Sequence, residues 1–383
     1  MDIVVIGAGY AGLTTALRLD RAHNITLISA VDHFTQRIRL HEFAAGRPSV
    51  TVPLAELTRN TGIEVVTARV SSVDVTSRLV LTDDGGKFPY ETLVYALGSR
   101  TDTKAPGVAE HAYTTETAGA LRTRLESGGG DLAVVGGGLT GIELATELAE
   151  TYPAWRVALV TRTEPGTGLS ANGRARIAKA MTRLGITGHP NTRAEAVEPG
   201  RLRTDRGDIP ADVVVWAASF AVPALAADAG LAVDDRGRAR VDETLRSISH
   251  PDVYAVGDAA AVEIPGAGTS RMSCAVGMPI GAHAADVINA RAAGREPKPF
   301  RFRYFIQCVS LGRRDGVIQA VRWDDSPVGL ILRGRSAAFV KEFVCRFTLW
   351  SLRLERWHPG AYLWPKGRRP SVEGRRLSVE KSA

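Results

Sequence analysis

The sequence predicts an α/β protein made of two doubly wound, parallel-sheet halves and a smaller α+β module at the C-terminus. Three observations carry this. A glycine turn of one pattern, GxGxxG, follows a short apolar β-type run at residues 7–12 and again at 136–141. Each time a helical stretch and a second β-type run come next, as in a βαβ unit. Further β-type runs ending in small residues, at 91–98, 212–219 and 253–258, supply the remaining strands of two sheets.

Composition sets the frame. The chain has 383 residues, 44% hydrophobic and 23% charged, the balance of a soluble globular protein of two or three domains. The three cysteines, Cys274, Cys308 and Cys345, are odd in number and widely spaced, so neither a disulfide framework nor a metal-binding CxxC pair is available. A reducing cytoplasm fits, and no metal site is expected. Net charge is +7, yet residues 333–383 hold 12 Lys or Arg against 4 Asp or Glu, so the preceding residues sum to −1. This excludes a uniformly basic nucleic-acid binder and places the attraction for anionic surfaces at the C-terminus. The β-type run beside Met1 leaves no room for a signal peptide. The longest uncharged apolar stretch, Val213 to Ala227, is interrupted by Pro223 and too short to span a bilayer.

The first turn reads Gly7-Ala8-Gly9-Tyr10-Ala11-Gly12, between the strand IVVI and a helix whose apolar face is Leu13, Ala16, Leu17 and Leu19. Gly7 makes the tight turn, Gly9 lets the backbone approach a pyrophosphate, and Gly12 lets helix and strand pack closely. The N–H groups of the first helical turn then face the phosphates. Ile25 to Ile28 forms the next strand. The second turn reads Gly136-Gly137-Gly138-Leu139-Thr140-Gly141, between strand 132–135 and helix 142–150, with Arg156 to Val160 following. One such turn could be a packing turn without a ligand; two in full context predict two Rossmann-like dinucleotide-binding domains. The economical pair of ligands is a tightly held FAD and an exchangeable NADPH or NADH. Strands ending at Ala96 and Gly98, at Ser219, and at Gly257-Asp258 lead into the carboxyl edges, where an acid such as Asp258 can hold a ribityl hydroxyl.

On GAGYAG, YALG, VVGGGLTGIE and VYAVGD in this order, the chain resembles the two-dinucleotide-binding-domain flavoproteins. Within them it is similar to the type II NADH dehydrogenase-like branch, which also holds apoptosis-inducing-factor-like reductases. The resemblance covers roughly residues 2–350. It implies that Gly7, Gly9 and Gly12 hold the FAD pyrophosphate, that Asp258 holds the ribityl chain and that the Val70 backbone lies near adenine. It also implies a discontinuous FAD domain (1–105 and 241–300), an inserted NAD(P)H domain (106–240) and a C-terminal module (301–383) with a basic tail.

Departures from the family pattern refine this. Ser29 stands where an acid usually binds the ribose, with Asp32 as either a substitute or a loop residue. Thr161 and Arg162 end the corresponding strand of the second half. Loss of the carboxylate, with a guanidinium beside it, favours NADPH modestly, unless Arg162 is only a solvated charge. Glu143 would begin a helix and, by the resemblance, approach the nicotinamide; a capping role is the alternative. The AQxAxQ-like quinone segment of the family reads Ser273-Cys274-Ala275-Val276-Gly277-Met278 here, which leaves both glutamines out. Cys274 then either touches flavin or substrate or packs as a small hydrophobe. An alanine-rich helix is predicted from Gly281 to Ala292, with Pro279 acceptable only in a first turn. His41 and His283 are isolated in sequence and read as structural.

In the C-terminal module, alternation at Phe300, Phe302, Tyr304 and Ile306 predicts a half-buried strand, then a hairpin through Val317 to Val321. A basic amphipathic helix is predicted over Ala337 to Trp357. Its apolar stripe is open to two uses, peripheral membrane contact or packing on the FAD domain or in a homodimer. Beyond Pro365 the polar tail is expected to be mobile. The function expected is an FAD-dependent NAD(P)H oxidoreductase passing hydride to flavin and then electrons to a quinone-like or small organic acceptor. A soluble biosynthetic flavoenzyme, or a redox-sensing flavoprotein controlling a partner, are the alternatives.

Overall fold

A computed structural model describes residues 1–367; the polar tail beyond, expected to be mobile, lies outside the described residues from 368 onward. The first βαβ unit is β1 (Asp2–Ile6), α1 (Tyr10–Arg18) and β2 (Asn24–Ser29). Next come a short helix α2 (Leu40–Ala44), β3 (Glu64–Thr67), an antiparallel trio β4 (Val70–Asp74), β5 (Leu79–Thr82) and β6 (Lys87–Pro89), and β7 (Thr92–Tyr95). The second unit runs through β8 (Ala112–Tyr113), β9 (Gly130–Val135), α3 (Leu139–Thr151), β10 (Trp155–Val160), α4 (Ala171–Arg183), β11 (Thr187–His189) and β12 (Val213–Trp216). The chain returns through β13 (Val253–Ala255) and α5 (Cys274–Ala292), and ends in β14 (Ile306–Ser310), β15 (Gly316–Val321), β16 (Pro327–Arg333) and α6 (Arg335–Trp357).

Two parallel five-stranded sheets result, ordered β13-β7-β1-β2-β3 and β8-β12-β9-β10-β11. In each, the glycine-turn strand is central, which explains its uninterrupted apolar run. Ile3, Val4, Val5 and Ile6 are all at most 2% exposed, each contributing about 1.5–3 kcal/mol of burial. The turns are built alike: Gly7 N–H bonds Ile28 O at 2.8 Å and Gly136 N–H bonds Val160 O at 2.9 Å.

Three expectations need correction. The alanine-rich helix starts at Cys274, not Gly281, so Pro279 lies in its second turn, inside the helix. The proline there is tolerated because burial against α1 fixes the helix: the Thr15 hydroxyl donates to Gly281 O at 2.9 Å across the contact. Residues 300–305 alternate in burial as predicted but pair with no strand. Phe300, Phe302 and Tyr304 pack on one another instead, with centroids 6.4 and 5.1 Å apart. The paired strand begins at Ile306, and the hairpin gains a third strand, β16.

The helix α6 is inverted. Its buried positions include Cys345, Thr348, Ser351 and Glu355, whereas Phe339, Phe343, Phe347, Trp350 and Trp357 are 40–75% exposed. The aromatic stripe therefore faces away from the protein, and the opposite, largely polar face packs on α1 and on the sheet of β14, β15 and β16. The buried charge is paired: Arg18 from α1 donates to Glu355 at 2.8 Å.

Candidate active site

Both glycine cradles show one steric signature. A methyl group on Gly12 would fall on the Gly7 carbonyl oxygen, and one on Gly141 would fall on the Gly136 carbonyl oxygen. Gly7 and Gly136 have positive φ (103° and 137°) and press on the neighbouring strand ends at Ala96 and Ala217. The middle glycines differ. Gly9 and Gly138 have nothing within 4 Å of an added Cβ. They stand at the N-caps of α1 and α3 with no side-chain cap, so first-turn N–H groups open onto free space.

Around the first cradle, Ala8 and Gly9 are open to solvent in part, and Ala96 and Gly98 follow β7 at the same sheet edge. Gly257 has φ 69° and touches Ala11. Asp258 follows it and accepts a hydrogen bond from the Ser99 hydroxyl at 2.7 Å. Burial pushes its carboxyl up, and the Ser99 bond opposes this. The hydroxyl of Ser273 is buried without a partner among the described residues. Ser29 ends β2, and its hydroxyl accepts from Val31 N–H at 3.4 Å. Asp32, by contrast, is 84% exposed and paired with His33. Val70 opens β4, two residues after Ala68, whose N–H bonds Ser29 O. Cys274 is the first residue of α5. Burial, and then Cys345, Asp258 and Cys308 nearby, push its thiol up to about 12, so it is protonated near neutrality.

Around the second cradle, the Thr161 hydroxyl turns inward and donates to Thr163 O at 2.6 Å. Arg162 is exposed, and among the described residues it makes no ion pair.

Glu143 departs from the expected helix start, because α3 already begins at Leu139 and Glu143 is a full turn inside it. Its side chain points toward the C-terminal module. One carboxylate oxygen accepts from Ser310 N–H at 3.0 Å and from the Lys341 ammonium. The other lies 3.7 Å from His41 Nδ1. Beside them Ser310 donates to Glu147 at 2.7 Å, Arg313 reaches Glu147 at 3.1 Å, and Arg39 bridges Glu42 and Glu342 at 2.9 and 2.7 Å. Four segments far apart in sequence thus meet in one buried cluster. His41 is part of it and is not an isolated structural histidine. His283 is: its Nε2 lies 3.0 Å from Lys298 O, and burial brings it down to about 4.

A family model described as pyridine nucleotide-disulphide oxidoreductase matches residues 1–281. The chain belongs to this family. It is 33% identical over 353 residues to an NADH dehydrogenase-like protein of Mycobacterium tuberculosis, covering 84% of this chain and 88% of that one. It is 26% identical to the type II NADH:quinone oxidoreductase of Staphylococcus epidermidis, over 89% and 93% of the two chains. The sulfide:quinone oxidoreductase of Aquifex aeolicus shares the fold, with TM-score 0.79, 20% identity, and 100% and 96% coverage.

As a pyridine nucleotide-disulphide oxidoreductase the chain is an FAD-dependent enzyme, and its first cradle fits that group. The open face of Gly9, the uncapped α1 N-terminus and the unpartnered Ser273 hydroxyl are what a diphosphate and a polyol would use. Sequence reasoning missed Lys341, Ser310, Arg39 and Arg313. Lys341 reads locally as a charge interrupting an apolar stripe, and no spacing rule ties it to Glu143.

Proposed function

We propose that this oxidoreductase draws electrons from NADPH in preference to NADH, passes them to a quinone-like acceptor, and does so at a lipid surface. The observation that carries the reading is the matched pair of cradles, each crowded at its first and third glycine and open at its middle one. Residues 1–105 with 241–300 would hold FAD, 106–240 the nicotinamide nucleotide, and 301–383 would form the acceptor-side module. Membership of the two parallel sheets supports this division.

Gly7, Ala8, Gly9 and Gly12 would bind the FAD diphosphate, with Asp258 and Ser29 on its hydroxyl groups and the Val70, Ala96, Gly98 and Gly257 backbones alongside. When bound, FAD supplies hydride acceptance from the nicotinamide and onward delivery of the electron pair. Gly136, Gly138 and Gly141 would hold the nucleotide diphosphate, and the unpaired Arg162 a 2′-phosphate. Cys274 would wall the chamber as a protonated thiol. Glu143 would hold Lys341 charged at the acceptor, so that its ammonium can give the proton that a reduced quinone needs.

The exposed aromatic stripe of α6, flanked by Arg335, Arg346, Arg353 and Arg356, matches an anionic bilayer surface: rings for the acyl boundary, guanidinium groups for phosphates. The aromatic residues stack along it at 6.3 and 5.8 Å.

Anaerobic mixing of the yellow protein with NADPH or NADH, then with a soluble quinone, tests the core of the reading. Bleaching by nucleotide and recovery by quinone are expected; a flavin that no nicotinamide reduces overturns it. Co-sedimentation with anionic but not neutral vesicles tests the surface. A dimer in solution that binds no vesicle would give the stripe to a second copy.

A further inference from the structure

His41 has a surrounding that packing alone does not account for. Its ring is 3% exposed, its Nδ1 faces Glu143 at 3.7 Å, and its Nε2 is buried with no partner among the described residues. An unpartnered buried ring nitrogen carries an uncompensated desolvation cost, so the site is retained at a cost to stability. The charged groups around it come from every neighbouring element: Arg39, Glu42 and Arg47 at α2, Glu143 and Glu147 on α3, Arg313 on the β14–β15 turn, Lys341 and Glu342 on α6. A cleft of about 650 Å³, lined by Ala45, Gly46, Arg47, Pro48, Ser49 and Arg313, opens beside it. Ala45 N–H bonds His41 O, so the cleft wall and the histidine share one turn of backbone.

We propose that His41 is a positioning residue that returns a proton from the cleft to Lys341 by way of the Glu143 carboxylate. The inference rests on the reading above, in which Lys341 faces the acceptor.

The stoichiometry calls for one proton per quinone reduced. A hydride equivalent reduces a quinone to its monoanion, and one further proton completes the hydroquinone. Lys341 provides it: an N–H bond breaks, an O–H bond forms, and the lysine becomes neutral. While Lys341 is charged, burial above all, then Lys341 itself, Arg313, Arg39 and Arg47, hold His41 neutral. Once Lys341 is neutral, Glu143 lacks its cation and the imidazole is the nearest replacement. A solvent proton adds to the Nε2 lone pair. The imidazolium then gives its Nδ1 proton to Glu143, which hands it to Lys341. The ring is left with its proton on Nε2, and exchange with solvent, one proton lost at Nε2 for one gained at Nδ1, restores the starting state. One solvent proton is consumed per turnover, as the overall reaction demands. Closing 3.7 Å to hydrogen-bond length needs a movement of about half an ångström.

The test uses the full-length holoenzyme with His41→Gln, His41→Leu and Lys341→Met. Flavin reduction by NADPH in the two His41 variants controls for folding and loading, and is expected within about twofold of wild type. Re-oxidation by a soluble benzoquinone is expected to slow about tenfold or more in both His41 variants and to lose its pH dependence. As a readout independent of turnover, the His41 ring is followed by NMR. Its titration midpoint is expected to rise by about one pH unit or more in Lys341→Met. Wild-type re-oxidation and an unchanged pH profile in His41→Gln, or an unmoved His41 midpoint in Lys341→Met, would overturn the role of His41. Failure of NADPH to reduce the flavin, or wild-type re-oxidation of Lys341→Met, marks instead the collapse of the reading beneath it, and the His41 role falls with it.

Discussion

Arg18 and Glu355 meet at 2.8 Å with side chains only 7% and 1% exposed, joining the first cradle helix to the inverted helix α6. Glu355 also accepts from the N–H groups of Gly360 and Tyr362, at 2.8 and 2.6 Å. Arg18 is held besides by Asp286 of α5 at 2.7 Å. One buried pair thus clamps three helices and the chain beyond α6. Removing a single partner leaves an uncompensated charge inside. Glu355→Ala is expected to lower stability by about 3–5 kcal/mol in urea unfolding; a change below about 1 kcal/mol would show the clamp to be dispensable.

The glycines of one cradle are expected to behave oppositely on substitution. Gly9 has φ −76° and open space around an added Cβ, so Gly9→Ala should leave the stability of the apoprotein within about 0.5 kcal/mol. It should nonetheless lose FAD, because the methyl group occupies the approach of the diphosphate. Gly12→Ala drives Cβ onto the Gly7 carbonyl and is expected to cost about 1–3 kcal/mol or more in the apoprotein itself. Flavin absorbance per protein, beside urea unfolding of each variant, separates the two effects.

Acid sensitivity should trace partly to Glu116. Burial pushes its carboxyl up, but the Arg37 guanidinium and the Thr101 hydroxyl outweigh this and bring it down to about 2 from 4.5. Between these values the unfolded chain binds the proton more readily than the folded one. The stabilisation is therefore present above about pH 4.5 and lost as pH falls toward 2. In denaturation at pH 6, 4 and 3, wild type is expected to lose more stability than Glu116→Gln; parallel losses would assign the acid response elsewhere.

Nucleotide choice should turn on Arg162. With Arg162→Gln, kcat/KM for NADPH is expected to fall about tenfold, and that for NADH to stay unchanged. Equal losses for both nucleotides would point to folding rather than recognition.

Much of this molecule was legible before folding, and for local reasons. Gly12 and Gly141 are demanded by the Gly7 and Gly136 carbonyls five residues before them, so a turn of six residues announces both cradles. The apolar runs of β1 and β9 announce central strands because both faces are covered. Helix α6 was legible as a helix, but its orientation was not. An amphipathic pattern names two faces without saying which one the protein keeps, and here the polar face went inside. Ser29 and Asp32 illustrate the same limit: sequence offered two ribose partners, and only packing turned Asp32 out to solvent beside His33.

By itself the sequence determined the two diphosphate-binding turns, the parallel strands that carry them and the basic character of the C-terminus, since each follows from steric or charge patterns between near neighbours. Only the tertiary structure decided that Glu143 would meet Lys341, 198 residues away, with His41 beside them. Charges so far apart leave no periodic mark on the chain; they are drawn together because burying any one alone would cost more than the remaining fold could offset.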